Sequence, residues 1–454
     1  MFDLILMDSS RRESILHYTP KTSQCEWQHT GQALEFEGLQ FEAVSPDWAV
    51  AFSVHPSNPG RKVKSPKTIK IQLGLKCNYA CTYCNQRSQP HDGDANLKAV
   101  ERFLSKFPEW FEVDDSIKIE FWGGEPLVYW KTLKPLAVGI RQLAPKASFS
   151  LITNGSLLDK EKVDWLYEIG FNIAISHDGP SHQATRGPDP LKDPECRKWI
   201  RYAHDRLSSE GRIGFNCVLS SKNVTLFPVR RYIAEQLGIP IASINLSTEE
   251  ILLPYDKGGV SLSVLDETLT KRLIHTVFFE AITGRTNGIA SVEGKITEFL
   301  KSLFQGRPAQ TLGQKCGMDR DDNIAIDLNG NVLTCQNTSA QGKHRIGHLD
   351  QFDQIRLDTA HHWSTRSECP KCPLIQLCQG ACLFLEDELW TQACDNSFAY
   401  NLGVIAASLF RITGQVLIEI RGEDIRGRGI SRIPVIERGF LDGPLPDWYF
   451  EVGP

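Results

Sequence analysis

No stretch of the 454 residues approaches the roughly 18 consecutive apolar residues that a membrane-spanning helix needs, so the sequence predicts no membrane partner. An excess of basic charge is also missing: 50 lysines and arginines face 55 aspartates and glutamates, a formal net charge of −5. That balance argues against general nucleic-acid binding, which depends on neutralising phosphates. The one basic stretch, "GRKVKSPK" from Gly60 to Lys67, reads as a solvated loop. The opening "MFDLILMDSSRRES" is too short and too acidic for a secretory signal, so a cytoplasmic protein is expected. Internal repeats and low-complexity tracts are lacking too.

Cysteine, by contrast, is plentiful at 13 residues. A large chain with no export signal is not a disulfide scaffold. Three cysteines cluster at Cys77, Cys81 and Cys84, and seven crowd between Cys316 and Cys394. Short, uneven spacing of this kind is the pattern of metal ligation. Cys25, Cys196 and Cys217 stand alone and read as small core residues.

The length allows about two or three domains. Residues 1–65 hold alternating runs such as "ALEFEGLQFEAV" and "WAVAFSV", which predict a small β-rich segment ending in a Pro/Gly/Lys linker. Over 66–250 six β-rich runs ("TIKIQLGL", "SIKIEFWGG", "SFSLITNG", "FNIAISHDG", "RIGFNCVLS", "IASINLS") alternate with amphipathic helical stretches. That alternation predicts an α/β fold with a parallel sheet, a partial (β/α)6 TIM barrel closing near residue 250. A helical linker is expected over 251–315, a cysteine-rich domain over 316–400 and an extension over 401–454, with a helix at "FAYNLGVIAASLFRITG" and a tail of unclear form from about Gln415.

The first cysteines, in "LGLKCNYACTYCNQ", follow the first barrel strand and so fall in a loop at the catalytic face. C-x-x-x-C-x-x-C suits a [4Fe–4S] cluster with one iron lacking a protein thiolate, open to an outside molecule. A zinc site with a fourth ligand from elsewhere is the alternative. "CNYACTYC" placed after a strand resembles the signature of the radical S-adenosylmethionine (SAM) superfamily. The resemblance implies that the open iron binds the SAM amino and carboxylate groups, and that one electron cleaves SAM to a 5′-deoxyadenosyl radical.

Further motifs stand at successive strand ends. Gly123, Gly124 and Glu125 of "GGEP" resemble the segment that holds the SAM amino group, with glycines allowing close backbone approach. Asn154 in "TNG" and Ser176 and Asp178 in "SHDGP" fall at the family's cofactor pocket, with Tyr83 as an aromatic flank to the cluster. Strand alternation puts Ser176 and Asp178 on one side and His177 on the other. Arg186, in "HQATRG", resembles the arginine of the peptide- and protein-modifying branch and is expected to fork onto the SAM carboxylate.

The later cysteines follow C-x13-G-x4-C from Cys316 to Cys335, then C-x2-C-x5-C-x3-C from Cys369 to Cys382, with Cys394 after eleven more residues. "NIAIDLNGNVLTC" reads as a hairpin turning at "NGN". Zinc knuckles are again the plain reading, but seven thiols do not divide into sets of four. The pattern resembles the SPASM domain of radical SAM enzymes, which carries two auxiliary [4Fe–4S] clusters. The resemblance implies that Cys316, Cys335 and Cys382 hold the first, and Cys369, Cys372, Cys378 and Cys394 the second. The first is one thiolate short, and Asp322 stands where some relatives have a further cysteine.

Enzymes of this kind mostly modify peptides or proteins. The resemblance implies SAM and three [4Fe–4S] clusters as cofactors, a precursor peptide or protein as substrate, and a reducing donor such as flavodoxin or ferredoxin. A maturase installing a carbon–carbon, carbon–oxygen or thioether cross-link in a ribosomally made peptide is expected. The alternative is an anaerobic sulfatase maturase that forms formylglycine. The sulfatase maturases place a catalytic aspartate directly after the second cysteine of the C-x13-G-x4-C pattern, where this chain has Gln336. An amide is a poor proton acceptor near neutral pH. Asp322 and Gln336 are thus the only weak candidates for a catalytic base, which stays unassigned.

Overall fold

The computed structural model describes residues 1–36, 41, 48–90, 95–114, 116–249, 255–264 and 266–443. In chain order its strands are β1 (Phe2–Met7), β2 (Glu13–Thr19), β3 (Gln24–Trp27), β4 (Thr68–Gln72), β5 (Lys118–Trp122), β6 (Ser148–Thr153) and β7 (Phe171–Ser176). They continue as β8 (Ile213–Val218), β9 (Leu246–Glu249), β10 (Asn323–Asp327), β11 (Asn331–Leu333), β12 (Arg345–His348), β13 (Val416–Ile425) and β14 (Ile430–Pro434).

β4 to β9 run parallel in sequence order, each pair linked through a helix-bearing crossover. All six correspond to the β-rich runs of the sequence. Alternation along them separates two faces. Phe121, Phe149 and Phe171 are fully buried and pack ring to ring at 5.3–5.5 Å, with Phe171 reaching Trp165 of the helix Lys160–Ile169. The intervening positions, among them Lys70, Glu120, Trp122, Asn172 and Asn216, line a central cavity. This inner face is polar, with Lys118 2.7 Å and Lys70 3.5 Å from Glu120.

The sheet does not close near residue 250. β10 pairs in parallel with β4, and β11 and β12 follow antiparallel, giving the order β12-β11-β10-β4-β5-β6-β7-β8-β9. The cysteine-rich region therefore joins the edge of the barrel sheet directly. The hairpin expected at "NGN" is present, with Gly330 at φ +85° accepting the turn conformation.

The N-terminal β segment is real, but its strands are not the runs that predicted it. Of "ALEFEGLQFEAV", residues 37–40 and 42–44 lie outside the described residues, and the described remainder offers only an isolated bridge from Ala33 to Glu26. "WAVAFSV" forms no strand. The strands are β1, β2 and β3, and they are completed from the other end of the chain in the order β14-β13-β1-β2-β3. The two ends thus make one antiparallel sheet. Ahead of β13 runs the helix Asp387–Thr413, packed along Glu267–Ile282 and Ala290–Gln305. Gly403 permits the close crossing, since a Cβ there would stand 2.7 Å from the Ile274 carbonyl oxygen. Among the described residues no helix is long and apolar enough to cross a membrane.

Candidate active site

None of the 13 cysteines is joined in a disulfide. Among the described residues no three His, Cys, Asp or Glu side chains lie close enough to share a single metal ion. The cysteines instead ring two spaces. Cys77, Cys81 and Cys84 share one cavity of about 740 Å3 with Cys316, Cys335 and Cys382. Cys369, Cys372, Cys378 and Cys394 surround a separate small recess. Burial pushes the Cys81 and Cys335 thiols up to about 12 and those of Cys316 and Cys394 to about 11. A thiol so disfavoured as an anion ionises when a metal takes the proton's place.

The loop holding the first three cysteines is clamped from three strand ends. Gly124 N–H donates to the Gly74 carbonyl at 3.1 Å, Glu125 N–H to the Lys76 carbonyl at 3.0 Å, and the Tyr129 hydroxyl receives the Lys76 N–H at 2.7 Å. A Cβ on Gly124 would lie 2.3 Å from the Lys76 carbonyl oxygen, and one on Gly123 2.8 Å from that of Gly74. The glycines therefore let backbone meet the cysteine loop, a use of close approach that the sequence reading assigned to a ligand. Asn154 Nδ2 donates to Asn78 Oδ1 at 2.9 Å, and Asn78 donates in turn to Ser156. From the fourth strand end, Thr185 C=O accepts the Thr82 N–H and Asp178 accepts the Tyr83 hydroxyl at 2.6 Å.

Glu125 is buried and accepts three protein donors: Leu127 N–H at 3.0 Å, the Thr153 hydroxyl at 2.7 Å and Asn154 N–H at 2.7 Å. Burial outweighs these bonds and lifts its pKa to about 6. Gly123, Gly124, Glu125, Asn154, Ser176, Tyr83 and Arg186 all line the cavity.

Asp178 does not. It is fully buried behind the wall, where Tyr83, Thr185, the Val218 N–H and Arg186 occupy its oxygens. Burial alone would push its carboxyl up, but the Arg186 guanidinium 3.0 Å away, with the hydrogen bonds, holds it below the usual range. Arg186 in turn stacks 5.3 Å over the Tyr83 ring. So Asp178 positions Arg186 and Tyr83 from behind, and the alternation that placed it beside Ser176 fails because β7 ends at Ser176. His177 points away from the cavity, paired with Asp189 at 2.9 Å.

Asp322 is likewise no part of either thiol set. Its carboxylate is taken by Arg320 at 2.5 and 2.8 Å, with Lys67 at 3.9 Å, and it lines neither space. Gln336 does line the large cavity, and among the described residues its buried Oε1 has no donor. Two participants gave no sequence signal. Tyr255 sits in the cavity wall with its hydroxyl 3.6 Å from Cys382 Sγ, and Arg426 donates to Cys394 Sγ at 3.0 Å. Tyr129 was detectable in principle, standing just three residues past "GGEP".

Comparison with known proteins finds a matching family model, related sequences and a related fold. A profile of the radical SAM superfamily matches residues 71–219. The chain is 23% identical over 343 residues, covering 70% of it and 68% of the relative, to the radical SAM cyclopropyl synthase TigE of Paramaledivibacter caminithermalis. It is 24% identical over 338 residues, covering 67% of it and 85% of the relative, to a cysteine-type anaerobic sulfatase-maturating enzyme of Clostridium perfringens. The solved structure of anSMEcpe with bound AdoMet and the Cp18Cys peptide superposes at a TM-score of 0.53 with 20% identity, covering 76% of this chain and 99% of that one, which establishes a shared fold. Residues 71–219 are a radical SAM domain.

Proposed function

We propose that the protein is a radical SAM maturase that acts on a ribosomally made precursor peptide and installs an oxidative cross-link between its side chains. The observation that carries this reading is the single cavity walled by both Cys77, Cys81 and Cys84 and Cys316, Cys335 and Cys382. A cubane cluster is wider than one ion, so its thiols ring a space rather than converge on a point. Cys77, Cys81 and Cys84 would hold the SAM-binding cluster, Cys316, Cys335 and Cys382 an auxiliary one, and Cys369, Cys372, Cys378 and Cys394 a second. The bound groups supply one-electron SAM cleavage, hydrogen-atom abstraction and a place for the electron left behind.

The chain's own residues do the rest. Gly123, Gly124, Asn154 and Ser176 wall the space for SAM, and Arg186, fixed by Asp178 and Tyr83, presents positive charge to it. Gln336 Oε1 offers an acceptor for a substrate amide N–H beside the auxiliary thiols. The volume of about 740 Å3 suits a cofactor together with a substrate side chain. A relative named as a cyclopropyl synthase supports bond formation as the reaction class.

The sulfatase-maturase reading is favoured by the Clostridium relative and by the fold shared with anSMEcpe. It lacks a base after Cys335, because Gln336 is an amide and Asp322 is engaged by Arg320. The test is anoxic incubation with SAM, reductant and two peptides. One is the product of any short reading frame found beside this gene, and the other carries a sulfatase active-site cysteine. Loss of a hydrogen pair with a new cross-link in the first supports the proposal. Formylglycine in the second, with the first unchanged, overturns it.

A further inference from the structure

The recess among Cys369, Cys372, Cys378 and Cys394 is walled in part by Arg426, which belongs to the β13–β14 turn and not to the cysteine-rich region. The turn is held in place at both ends. Arg426 N–H donates to the Lys371 carbonyl at 2.9 Å inside the Cys369–Cys372 loop, and Lys371 Nζ pairs with Asp424 at 2.7 Å. Arg426 adopts φ +61°, a conformation that L-residues rarely take without being held there. Its side chain is 8% exposed, stacks 4.5 Å over Phe398 and donates from Nη2 to Cys394 Sγ at 3.0 Å. Among the described residues its buried Nε has no acceptor.

Charge placement here is not symmetrical. Asp395 accepts from both Arg426 and Arg428, at 2.5 and 2.7 Å, so two guanidiniums face one carboxylate. Glu368, also on the recess wall, is half-buried and bonded by the Ser367 hydroxyl. A buried guanidinium aimed at a cysteine sulfur, with one N–H unbonded among the described residues, is a donor set for an anionic group filling the recess.

We propose that the β13–β14 turn caps the second auxiliary cluster, and that Arg426, hydrogen-bonded to Cys394 Sγ, raises that cluster's reduction potential. The inference rests on the second thiol set holding a cluster. Hydrogen bonds and positive charge at the sulfurs favour the reduced, more negative state. The same turn ties cluster loading to the terminal sheet, since β13 pairs with β1.

The test is a redox titration of the full-length reconstituted protein followed by electron paramagnetic resonance, for wild type, Arg426→Gln and Arg426→Lys, with iron counted in each. The signal of the second set is the one lost in Cys369→Ala. The expected result is about twelve iron atoms per chain in wild type and both variants. That signal should shift to more negative potential in Arg426→Gln and less so in Arg426→Lys. Full iron with an unmoved potential overturns the proposal. If Arg426→Gln sheds iron, the Arg426→Lys titration decides: a lowered potential supports the cap and a wild-type one overturns it. If Cys369→Ala removes neither iron nor any signal from the wild-type pattern, the cluster in the second set is refuted, and the cap with it.

Discussion

The Tyr83 hydroxyl donates to Asp178 Oδ2 at 2.6 Å, joining the residue before the last loop cysteine to the end of the fourth barrel strand. Asp178 also pairs with Arg186, so one buried carboxylate fixes two residues of the cavity wall. Asp178→Ala leaves the Arg186 charge buried without its partner and is expected to cost about 3–5 kcal/mol. Tyr83→Phe removes one hydrogen bond and is expected to cost about 1 kcal/mol. Anoxic urea unfolding of the two variants checks the ranking. Because the Asp178 pKa is held below its usual value, its contribution is present above about pH 4 and is lost as pH falls further.

Glu125 runs the opposite way. Its pKa is raised from 4.5 to about 6, so between those values the folded state binds the proton more tightly than the unfolded chain. Stability should therefore fall as pH rises from about 4.5 to about 6, by about 2 kcal/mol. Glu125→Gln should flatten that segment of the stability–pH profile. It should also lower stability at every pH, because a Gln Nε2 turned toward the Asn154 N–H sets donor against donor.

Gly124→Ala is the sharpest test of loop placement, since its Cβ would stand 2.3 Å from the Lys76 carbonyl oxygen. Backbone rather than a flexible side chain must give way. The expected outcome is SAM cleavage reduced by about a hundredfold, with iron in the other two thiol sets retained.

Tyr255→Phe removes the hydroxyl that lies 3.6 Å from Cys382 Sγ. Iron content should be unchanged, while the potential of the cluster at Cys316, Cys335 and Cys382 moves to more negative values. A redox titration reads both.

The parts of this architecture that were legible in the sequence are those set by local pattern. All six barrel strands appear as β-rich runs, and "GGEP", "TNG" and "SHDGP" mark their ends because loop chemistry is local. Pairings between distant segments left no such mark. β1 is closed by β13 more than 400 residues later, and β4 is extended by β10, so the terminal sheet and the open barrel edge went unread. Asp178 was misplaced because alternation holds only inside a strand, and Asp322, no more than a weak candidate, is taken by its local partner Arg320. Arg426 and Tyr255 reach their thiols only through tertiary packing.

The central claim is that the cysteines form three cluster seats, and counting iron and acid-labile sulfide per chain after anoxic reconstitution tests it most directly. About twelve of each in wild type, and about eight with SAM cleavage abolished in the Cys77→Ala/Cys81→Ala/Cys84→Ala protein, is the expected result. About four in wild type, or zinc in place of iron, would contradict it.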